Sequence, residues 1–360
     1  MKTLSYATTM TRCNPSAGGK PSITPYTRPV IHTVNGQPKE SEFEKVRVVS
    51  YNVLAQCYCR SSIFHWSDRG DIRWKRRKGK ITKEIEEYNA DLLLLQELDN
   101  FSDYHRGALR KLGYDGYTYV QRNSRKDGVG IFWKSEDFEV VSETPVHFNA
   151  IAEQSYGIDY AQKKNNPEYL LRDSVGAITV LRSNKHPSDV GIILATCHLF
   201  WNPDNADVKL LQAFHMVERI RQVVREHDYP LILGGDFNSV PDSAVLSFLT
   251  DGSVPNNHSD LRDMSSELVE MISRGGMKLQ NMYQYEEGDM TNYTEPFADV
   301  LDYIFVMGGV RASSFLKLPS RKALAENGVK GFPHGPWPSD HIALVAELEI
   351  PFLSKPVEES

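Results

Sequence analysis

The stretch Leu231-Ile-Leu-Gly-Gly-Asp236-Phe-Asn238 decides how the rest of the chain is interpreted. Its three apolar residues predict a short buried strand, and its two glycines remove side chains where that strand ends. Asp236 and Asn238 are two residues apart, so their side chains point the same way in extended backbone. An acid and an amide in such a place are costly to desolvate without partners. Taken alone, this pattern fits a strand-capping turn as well as a functional site.

Several other apolar runs carry an acid, an amide or an imidazole at one end. The residues at these ends are Asn52, Glu97, His198, Asp302 and the adjacent pair Asp340 and His341. Each has a plainer interpretation when taken singly, as a helix cap, a turn or a core histidine. Six such places spread over most of the chain predict polar groups gathered at one rim of a sheet sandwich. Catalytic sites are built in this way on rigid scaffolds.

Composition sets limits on the class of protein. The 360 residues are 40% hydrophobic and 24% charged, with a net charge of -6, so no global basic field indicates nucleic acid. The four cysteines do not form a disulfide framework, and Cys57 and Cys59 lack the second pair that zinc requires. No apolar run approaches the roughly 20 residues that span a bilayer. We therefore expect an intracellular protein with reduced thiols, in the nucleus or cytoplasm, without a membrane partner.

The chain divides into an arm, one domain and a tail. Residues 1–45 are rich in Thr, Ser, Pro and Gly, and we predict a disordered arm. Basic residues precede its first acidic residue, Glu40, which matches part of a transit signature for a mitochondrion or another organelle, although a plain tail fits equally. Residues 46–352 are predicted as a single catalytic domain and residues 353–360 as a tail.

Within this domain, many short strands alternate with few long helices. Helices are predicted over residues 73–88 and 207–227, and residues 311–338 are predicted as a long loop. Most strand pairs lack an intervening helix, and neither GxGxxG nor a P-loop motif occurs, so a doubly wound dinucleotide fold fits poorly. The pattern favours two packed sheets with helices outside them.

The residue types suit metal-assisted hydrolysis of a phosphoester. Glu97 and a second carboxylate suit a hard cation such as Mg²⁺, and Asp340 can reach a second metal. Asn52 can supply a neutral oxygen or hold a metal-bound water. Asp236 can orient or deprotonate an attacking water, and Asn238 can fix either Asp236 or a phosphate oxygen.

The histidines have a different role in this scheme. His341 and His198 can donate hydrogen bonds to phosphoryl oxygens as negative charge develops on them. An imidazole in that role is usually held by an acid, and Asp302 is the natural partner of His341.

Several short motifs resemble the endonuclease–exonuclease–phosphatase superfamily in residue and in order. They are Tyr51-Asn52-Val-Leu-Ala, Leu95-Gln96-Glu97, Thr196-Cys-His198, Gly235-Asp236-Phe-Asn238, Leu301-Asp302-Tyr-Ile and Ser339-Asp340-His341. Finer features resemble the carbon catabolite repressor deadenylases, nocturnin and Angel. These are Asp127-Gly128, His198-Leu-Phe-Trp-Asn202-Pro followed by Asp207-Val-Lys-Leu, and Thr291-Asn-Tyr-Thr. The resemblance runs from about Val46 to Ile350.

This resemblance implies a fold, a cofactor and residue roles. It implies a four-layer α/β sandwich and hydrolysis that depends on one or two Mg²⁺ ions, which Mn²⁺ can replace. Phe297 lies where the deadenylases stack a base, and an aromatic platform of this kind accepts any base. By matching position, Glu97 resembles the metal-binding glutamate, Asp236 and Asn238 the water-activating pair, Asp302 and His341 the imidazole dyad, and Asn52, His198 and Asp340 the remaining phosphate and metal contacts.

Two basic stretches bear on the substrate. The run from Arg73 to Lys80 fits a solvated helix face or a phosphate-backbone contact. The turn with Arg122, Arg125 and Lys126 can grip an RNA backbone, or it can read a small phosphate, as nocturnin-like enzymes do with NADP(H).

The segment from His198 through Asn202 resembles the deadenylases and Angel more than nocturnin, which favours RNA. The resemblance therefore implies a 3′-exoribonuclease that acts on poly(A) 3′ ends. The alternatives are an NADP(H) 2′-phosphatase, a 2′,3′-cyclic phosphate phosphatase and a non-catalytic RNA-binding module. No leucine-rich repeat precedes Val46, so we do not expect docking to the larger deadenylase complex through such repeats.

Overall fold

The computed structural model describes residues 24–33, 43–185, 190–262 and 264–352. The elements of its first half are β1 Val30–His32, β2 Phe43–Asn52, α1 Trp74–Tyr88, β3 Leu92–Gln96, α2 Arg106–Lys111, β4 Gly116–Gln121, β5 Gly128–Trp133, β6 Phe138–His147, α3 Ser155–Lys163 and β7 Val175–Ser183. Those of its second half are β8 Gly191–His198, α4 Ala206–His227, β9 Leu231–Asp236, α5 Ala244–Thr250, α6 Ser266–Ser273, β10 Gln280–Asn281, β11 Asn292–Tyr293, β12 Ala298–Asp299, β13 Asp302–Met307, β14 Arg311–Leu316, α7 Arg321–Glu326 and β15 Leu344–Pro351.

Two large mixed sheets form the centre of the fold. In the described part of the chain, the first sheet has the strand order β1-β14-β15-β2-β3-β5-β4 and the second has the order β10-β13-β9-β8-β7-β6. Neighbouring strands run antiparallel except for two parallel pairs, β2 with β3 and β8 with β9. The sheets pack face to face, with β3 and β5 against β8. This arrangement confirms the predicted sandwich.

Helices cover the outer faces and complete the four layers. Ile81 and Ile85 of α1 pack in one apolar cluster with Leu93 and Leu95 of the first sheet. The long helix α4 covers the second sheet, where Val217 packs in a cluster with residues of β8 and β9. The predicted helices over residues 73–88 and 207–227 are therefore confirmed, and their apolar stripes explain the layer order. Across the described ranges, no helix combines the length and apolar character needed to cross a bilayer.

The register of these strands brings the polar strand ends to one rim. Asn52 of β2 lies opposite Gln96 of β3, so Glu97 follows at the same edge. In the second sheet, His198 pairs with Asp236, and Asp236 pairs with Asp302. The rim predicted from the apolar runs is thus formed by both sheets.

The structure differs from the sequence prediction in two segments. Residues 311–338 are not a continuous loop, because they contain β14 and α7, the latter capped by the Ser320 hydroxyl. The prediction of a disordered arm is wrong for residues 24–33, because they include β1, an edge strand paired antiparallel with β14. The rest of that arm, residues 1–23 and 34–42, and the tail from residue 353 lie outside the described residues.

Buried polar contacts hold residues 24–33 in place. The Arg28 guanidinium is 4% exposed and donates hydrogen bonds to the carbonyl oxygens of Pro25 and Ala343, both at 2.7 Å. It also donates to the Tyr88 hydroxyl at 3.4 Å. Tyr88 in turn donates to the carboxylate of Glu84 at 2.6 Å, and Tyr51 donates to the same carboxylate at 2.9 Å. These contacts connect the segment to α1 and β2.

Glu84 makes the free energy of unfolding depend on pH. Burial raises its pKa from the usual 4.5 to about 7, so the folded state binds an extra proton between those two values. The stabilising contribution of Glu84 is complete below about pH 4.5, falls as the pH rises through about 7, and amounts to about 3 kcal/mol.

We expect Glu84→Gln to remove most of this pH dependence of the free energy of unfolding, measured by urea unfolding at about pH 5 and about pH 8. The control is Glu86→Gln, an exposed change on the same helix. An unchanged pH dependence in Glu84→Gln would contradict the prediction.

Candidate active site

Two glycines just before Asp236 allow close contacts, Gly234 with the opposite sheet and Gly235 with the neighbouring strand β8. A Cβ atom on Gly234 would lie 2.7 Å from the Leu94 side chain and 3.2 Å from Ser50, both in the opposite sheet. A Cβ atom on Gly235 would lie 2.3 Å from the Cys197 carbonyl oxygen. Real Cβ atoms do not tolerate such distances, so glycine is required where β9 delivers Asp236 to the rim.

Asn52 connects two carboxylates across the seam between the sheets. Its Nδ2 donates to Glu97 Oε1 at 3.1 Å and to Asp236 Oδ2 at 2.9 Å. Its Oδ1 accepts from the Leu54 amide at 3.0 Å, which fixes the orientation of the amide. The other oxygen of Glu97 accepts from the Ala55 amide at 2.8 Å. Asn52 is fully buried, so it positions the acids from behind the cleft.

Two histidines lie close to Asp236. His198 Nε2 lies 3.5 Å from Asp236 Oδ2, and His341 Nε2 lies 3.6 Å from the same oxygen. His341 Nδ1 is 2.8 Å from Asp302 Oδ2, so the structure brings together the predicted pair of Asp302 and His341. Burial alone would lower the pKa of His341. The negative charges of Asp302 and Asp236 outweigh this effect and raise the pKa of His341 well above its usual range. The imidazolium is therefore favoured at neutral pH, with Nε2 directed at the site.

Asn238 lies beside Asp236, but not in extended backbone as the spacing predicted. Its φ of 46° is left-handed, because the strand ends at Asp236 and the chain turns. The backbone amide of Asn238 donates to Asp236 Oδ1 at 2.9 Å, and the side-chain amide of Asn238 donates to the Leu199 carbonyl at 3.0 Å. Both side chains nevertheless line the same cleft.

The donor set fits a divalent cation. Glu97 and Asp340 line the cleft, and Asp340 Oδ1 is buried without a hydrogen-bond partner in the described structure. Burial raises the pKa of Glu97, and the Asp340 carboxylate raises it further, whereas a bound cation would favour both charged forms. A second group, Asp236, Asp302 and His341, has ligand atoms within 4.8 Å of one another. Each group contains a buried carboxylate oxygen without a hydrogen-bond partner in the described structure, Oδ1 of Asp340 in the first and Oδ1 of Asp302 in the second, so both fit a cation.

The cleft has a volume of about 460 Å³. The residues that line it are Leu54, Tyr58, Ile63, Phe64, Glu97, Arg122, Arg125, Ser174, His198, Leu199, Phe200, Trp201, Asp236, Asn238, Asn292, Leu301, Asp340 and His341. The predicted acids and histidines are therefore brought together, with Asn52 and Asp302 buried behind them.

The predicted substrate contacts are less well placed. Phe297, Asn202 and Lys126 do not line the cleft. The Asn202 side chain accepts from the Asp204 amide at 3.0 Å and caps a short turn. Arg122 lines the cleft, but its guanidinium donates to the carbonyls of Asp173 and Arg172 and lies 3.4 Å from Asp127. The side chains of Asn202 and Arg122 are therefore engaged in contacts within the protein.

Sequence reasoning missed several lining residues. The basic turn was predicted as a unit, but only Arg122 and Arg125 of it line the cleft, whereas Lys126 does not. Trp201 and Asn292 stood inside quoted motifs without a role. Ile63 and Phe64 come from a loop that has no periodic pattern, so the sequence alone could not place them.

Arg77 differs from the exposed basic residues around it at the start of α1, because its buried side chain faces neither solvent nor a ligand. Its side chain is fully buried and donates to the carbonyls of Val53, Leu54 and Pro338 at 2.6–2.7 Å, and to Gln56 Oε1 at 3.0 Å. These carbonyls lie just after Asn52 and just before Asp340. Arg77 therefore ties together two chain segments that carry site residues.

Comparisons with known proteins identify the family of the chain. The model of the Endonuclease/Exonuclease/phosphatase family matches residues 49–341. The Arabidopsis thaliana carbon catabolite repressor protein 4 homolog 4 is 32% identical over 339 residues, which are 85% of this chain and 78% of that protein. The Ccr4 exoribonuclease subunit of the Schizosaccharomyces pombe CCR4-Not complex is 28% identical, and the match spans 88% of this chain but only 51% of that protein.

Solved structures show the same fold. The crystal structure of ANGEL2, a 2′,3′-cyclic phosphatase, has a TM-score of 0.75 at 26% identity and covers 92% of this chain and 99% of its own. The human Nocturnin catalytic domain has a TM-score of 0.61 at 20% identity, covering 91% of this chain and 99% of its own. With the matched family model spanning most of the folded residues, the chain belongs to the Endonuclease/Exonuclease/phosphatase family.

Proposed function

We propose that the chain is a magnesium-dependent 3′-exoribonuclease that shortens poly(A) 3′ ends of RNA. The observation that carries the proposal is the convergence of Asp236 with Asn52, His198 and His341 beside Glu97 and Asp340 in one cleft. The names of the relatives support the substrate, because the fission yeast protein is a 3′-5′-exoribonuclease subunit. A pure RNA-binding module would not need this set of acids and imidazoles.

The mechanism follows from the positions of the side chains. Asp236 accepts a proton from the attacking water as the new phosphorus–oxygen bond forms and the ester bond to the leaving group breaks. His341, fixed by Asp302, and His198 donate hydrogen bonds to the phosphoryl oxygens as charge develops on them. Glu97 and Asp340 would hold Mg²⁺, which neutralises charge on the phosphate when bound.

The second candidate is hydrolysis of a 2′,3′-cyclic phosphate at an RNA end. The similarity to ANGEL2 across nearly the whole chain favours this candidate over an NADP(H) 2′-phosphatase, because the Nocturnin likeness extends to the fold alone. Both candidates use the same acids, so the reacting groups do not separate them.

A substrate panel tests the proposal. Purified protein with Mg²⁺ is given RNA with an oligo(A) tail, RNA with an oligo(U) tail, RNA with a 2′,3′-cyclic end, and NADPH. We expect stepwise shortening of the oligo(A) tail from the 3′ end and loss of that activity with EDTA. The Asp236→Ala protein, purified in parallel, controls for contaminating nucleases. Faster turnover of the cyclic end or of NADPH than of oligo(A) would overturn the proposal.

Arg125 is expected to contact the RNA backbone, since it is exposed and lines the cleft. Arg125→Ala should raise the KM for RNA severalfold and reduce the salt dependence of binding by about one phosphate contact. The matched control is Lys126→Ala, which removes an exposed cation from the next position outside the cleft. Equal effects of the two variants, measured by KM at several salt concentrations, would contradict this assignment.

We also propose, from the relatives, that the protein acts within the cell, in the nucleus or cytoplasm. The match spans about half the length of the fission yeast subunit of the CCR4-Not complex.

A further inference from the structure

Two exposed apolar side chains face the same cleft. Trp201 is 64% exposed and Ile63 is 52% exposed, the two highest values among the large apolar residues of the described chain. Both line the cleft that contains Glu97 and Asp236. Ligand clefts typically combine apolar and aromatic side chains with a few polar groups, and these two side chains supply the apolar part here.

The backbone on both sides of Trp201 is held in place. The Phe200 amide donates to Gln212 Oε1 at 2.8 Å, and the Arg172 guanidinium lies 4.8 Å from the centre of the Phe200 ring. On the other side, Asn202 accepts from the Asp204 amide and caps the turn Pro203–Asn205. Trp201 is therefore presented by fixed neighbours, while most of its indole remains accessible. A rigid support with a free aromatic face suits stacking on a flat ligand.

Phe297 is a weaker platform in this structure. It is 40% exposed and does not line the cleft, and its carbonyl accepts two hydrogen bonds from Thr294. The resemblance placed base stacking at Phe297, whereas the observed geometry provides an aromatic face at Trp201, three residues after His198.

We propose that Trp201 stacks on the base of the nucleotide whose phosphate lies at Asp236, with Ile63 contacting that base from the facing loop. The proposal rests on the proposed function in that the ligand is an unpaired RNA end. An unpaired base can leave its neighbours and place its face on the indole, so a single-stranded end fits the cleft better than a duplex end. Purines stack more strongly than pyrimidines because their rings are larger, which favours adenine over uracil.

Kinetics of three variants test the role of Trp201. Trp201→Ala should raise the KM for oligo(A) about tenfold, with kcat within about twofold, and should raise the KM for oligo(U) less. Trp201→Phe should retain most of the affinity, because it keeps an aromatic face. Ile158→Ala is the control, since Ile158 is 44% exposed on α3 and lies outside the cleft. An unchanged KM in Trp201→Ala overturns the proposal, as does an effect found in Phe297→Ala but not in Trp201→Ala.

A binding measurement separates this proposal from the proposed function. Fluorescence anisotropy with labelled oligo(A) and oligo(U), in the Asp236→Ala background, reports binding without cleavage. We expect Trp201→Ala to weaken oligo(A) binding about tenfold in that background. If the wild-type protein cleaves no RNA but this loss is observed, the exoribonuclease proposal fails and the stacking role stands. If cleavage is normal and binding is unchanged by Trp201→Ala, the stacking role fails alone.

Discussion

Asp236→Ala is expected to lower kcat by at least about a thousandfold, while the KM for RNA changes little. General-base catalysis contributes about 10² to 10⁴ in rate, and Asp236 also orients both histidines through one oxygen. The side chain is 1% exposed and accepts hydrogen bonds from Asn52 and from the Asn238 amide. Steady-state kinetics on oligo(A) RNA at saturating Mg²⁺ measure the effect.

Asp236→Asn separates the charge of this side chain from its shape. Asparagine fills the same volume but cannot take a proton from water, so kcat should fall nearly as far as in Asp236→Ala. Thermal unfolding of all three proteins checks that the fold is retained. Activity within about tenfold of wild type in Asp236→Asn would show that another group accepts the proton.

The second large effect is expected at the Asp302–His341 pair. Asp302→Asn keeps the shape of the side chain but removes the charge that favours the imidazolium, so kcat should fall about 10²- to 10³-fold. His341→Gln should lower kcat by a similar factor, because it removes the ring that is directed at Asp236. Single-turnover rates on oligo(A) RNA measure the chemical step in each variant.

A double variant tests whether these two residues act as a unit. If Asp302 acts only through His341, Asp302→Asn combined with His341→Gln should be no slower than the slower single variant. Multiplication of the two single effects would instead indicate that each residue contacts the substrate separately.

The sequence was sufficient to predict the polar rim and the sandwich. Apolar runs that end in Asn52, His198 and Asp236 encode both the buried strands and the polar groups at their ends. Because parallel neighbours such as β8 and β9 end at the same edge, the strand pattern implied convergence. The pair of Asp302 and His341 was predictable from residue chemistry, since an imidazole in this role is usually held by an acid, although Asp302 begins β13 of the second sheet and His341 precedes β15 of the first.

Other parts depended on contacts that no local pattern encodes. Arg77 reads as one of several basic residues at a helix start, yet carbonyls from two distant segments bury it. Residues 24–33 have the composition of a loose arm, but their order comes from pairing with β14 and from the partners of Arg28. The sequence could not distinguish Trp201 from neighbouring aromatic residues as a ligand contact, because the proposed role depends on the exposure of the side chain and not on its spacing in the sequence.

The seam between the two sheets has a consequence for how native protein is recognised in the laboratory. One sheet carries Asn52 and Glu97 and the other carries His198 and Asp236, and the hydrogen bond from Asn52 to Asp236 spans 184 positions of sequence. A collapsed chain in which each sheet has formed but the two are not yet docked would give a near-native far-ultraviolet circular dichroism spectrum and no turnover. Specific activity is therefore a stricter criterion for a correctly refolded preparation than secondary-structure content.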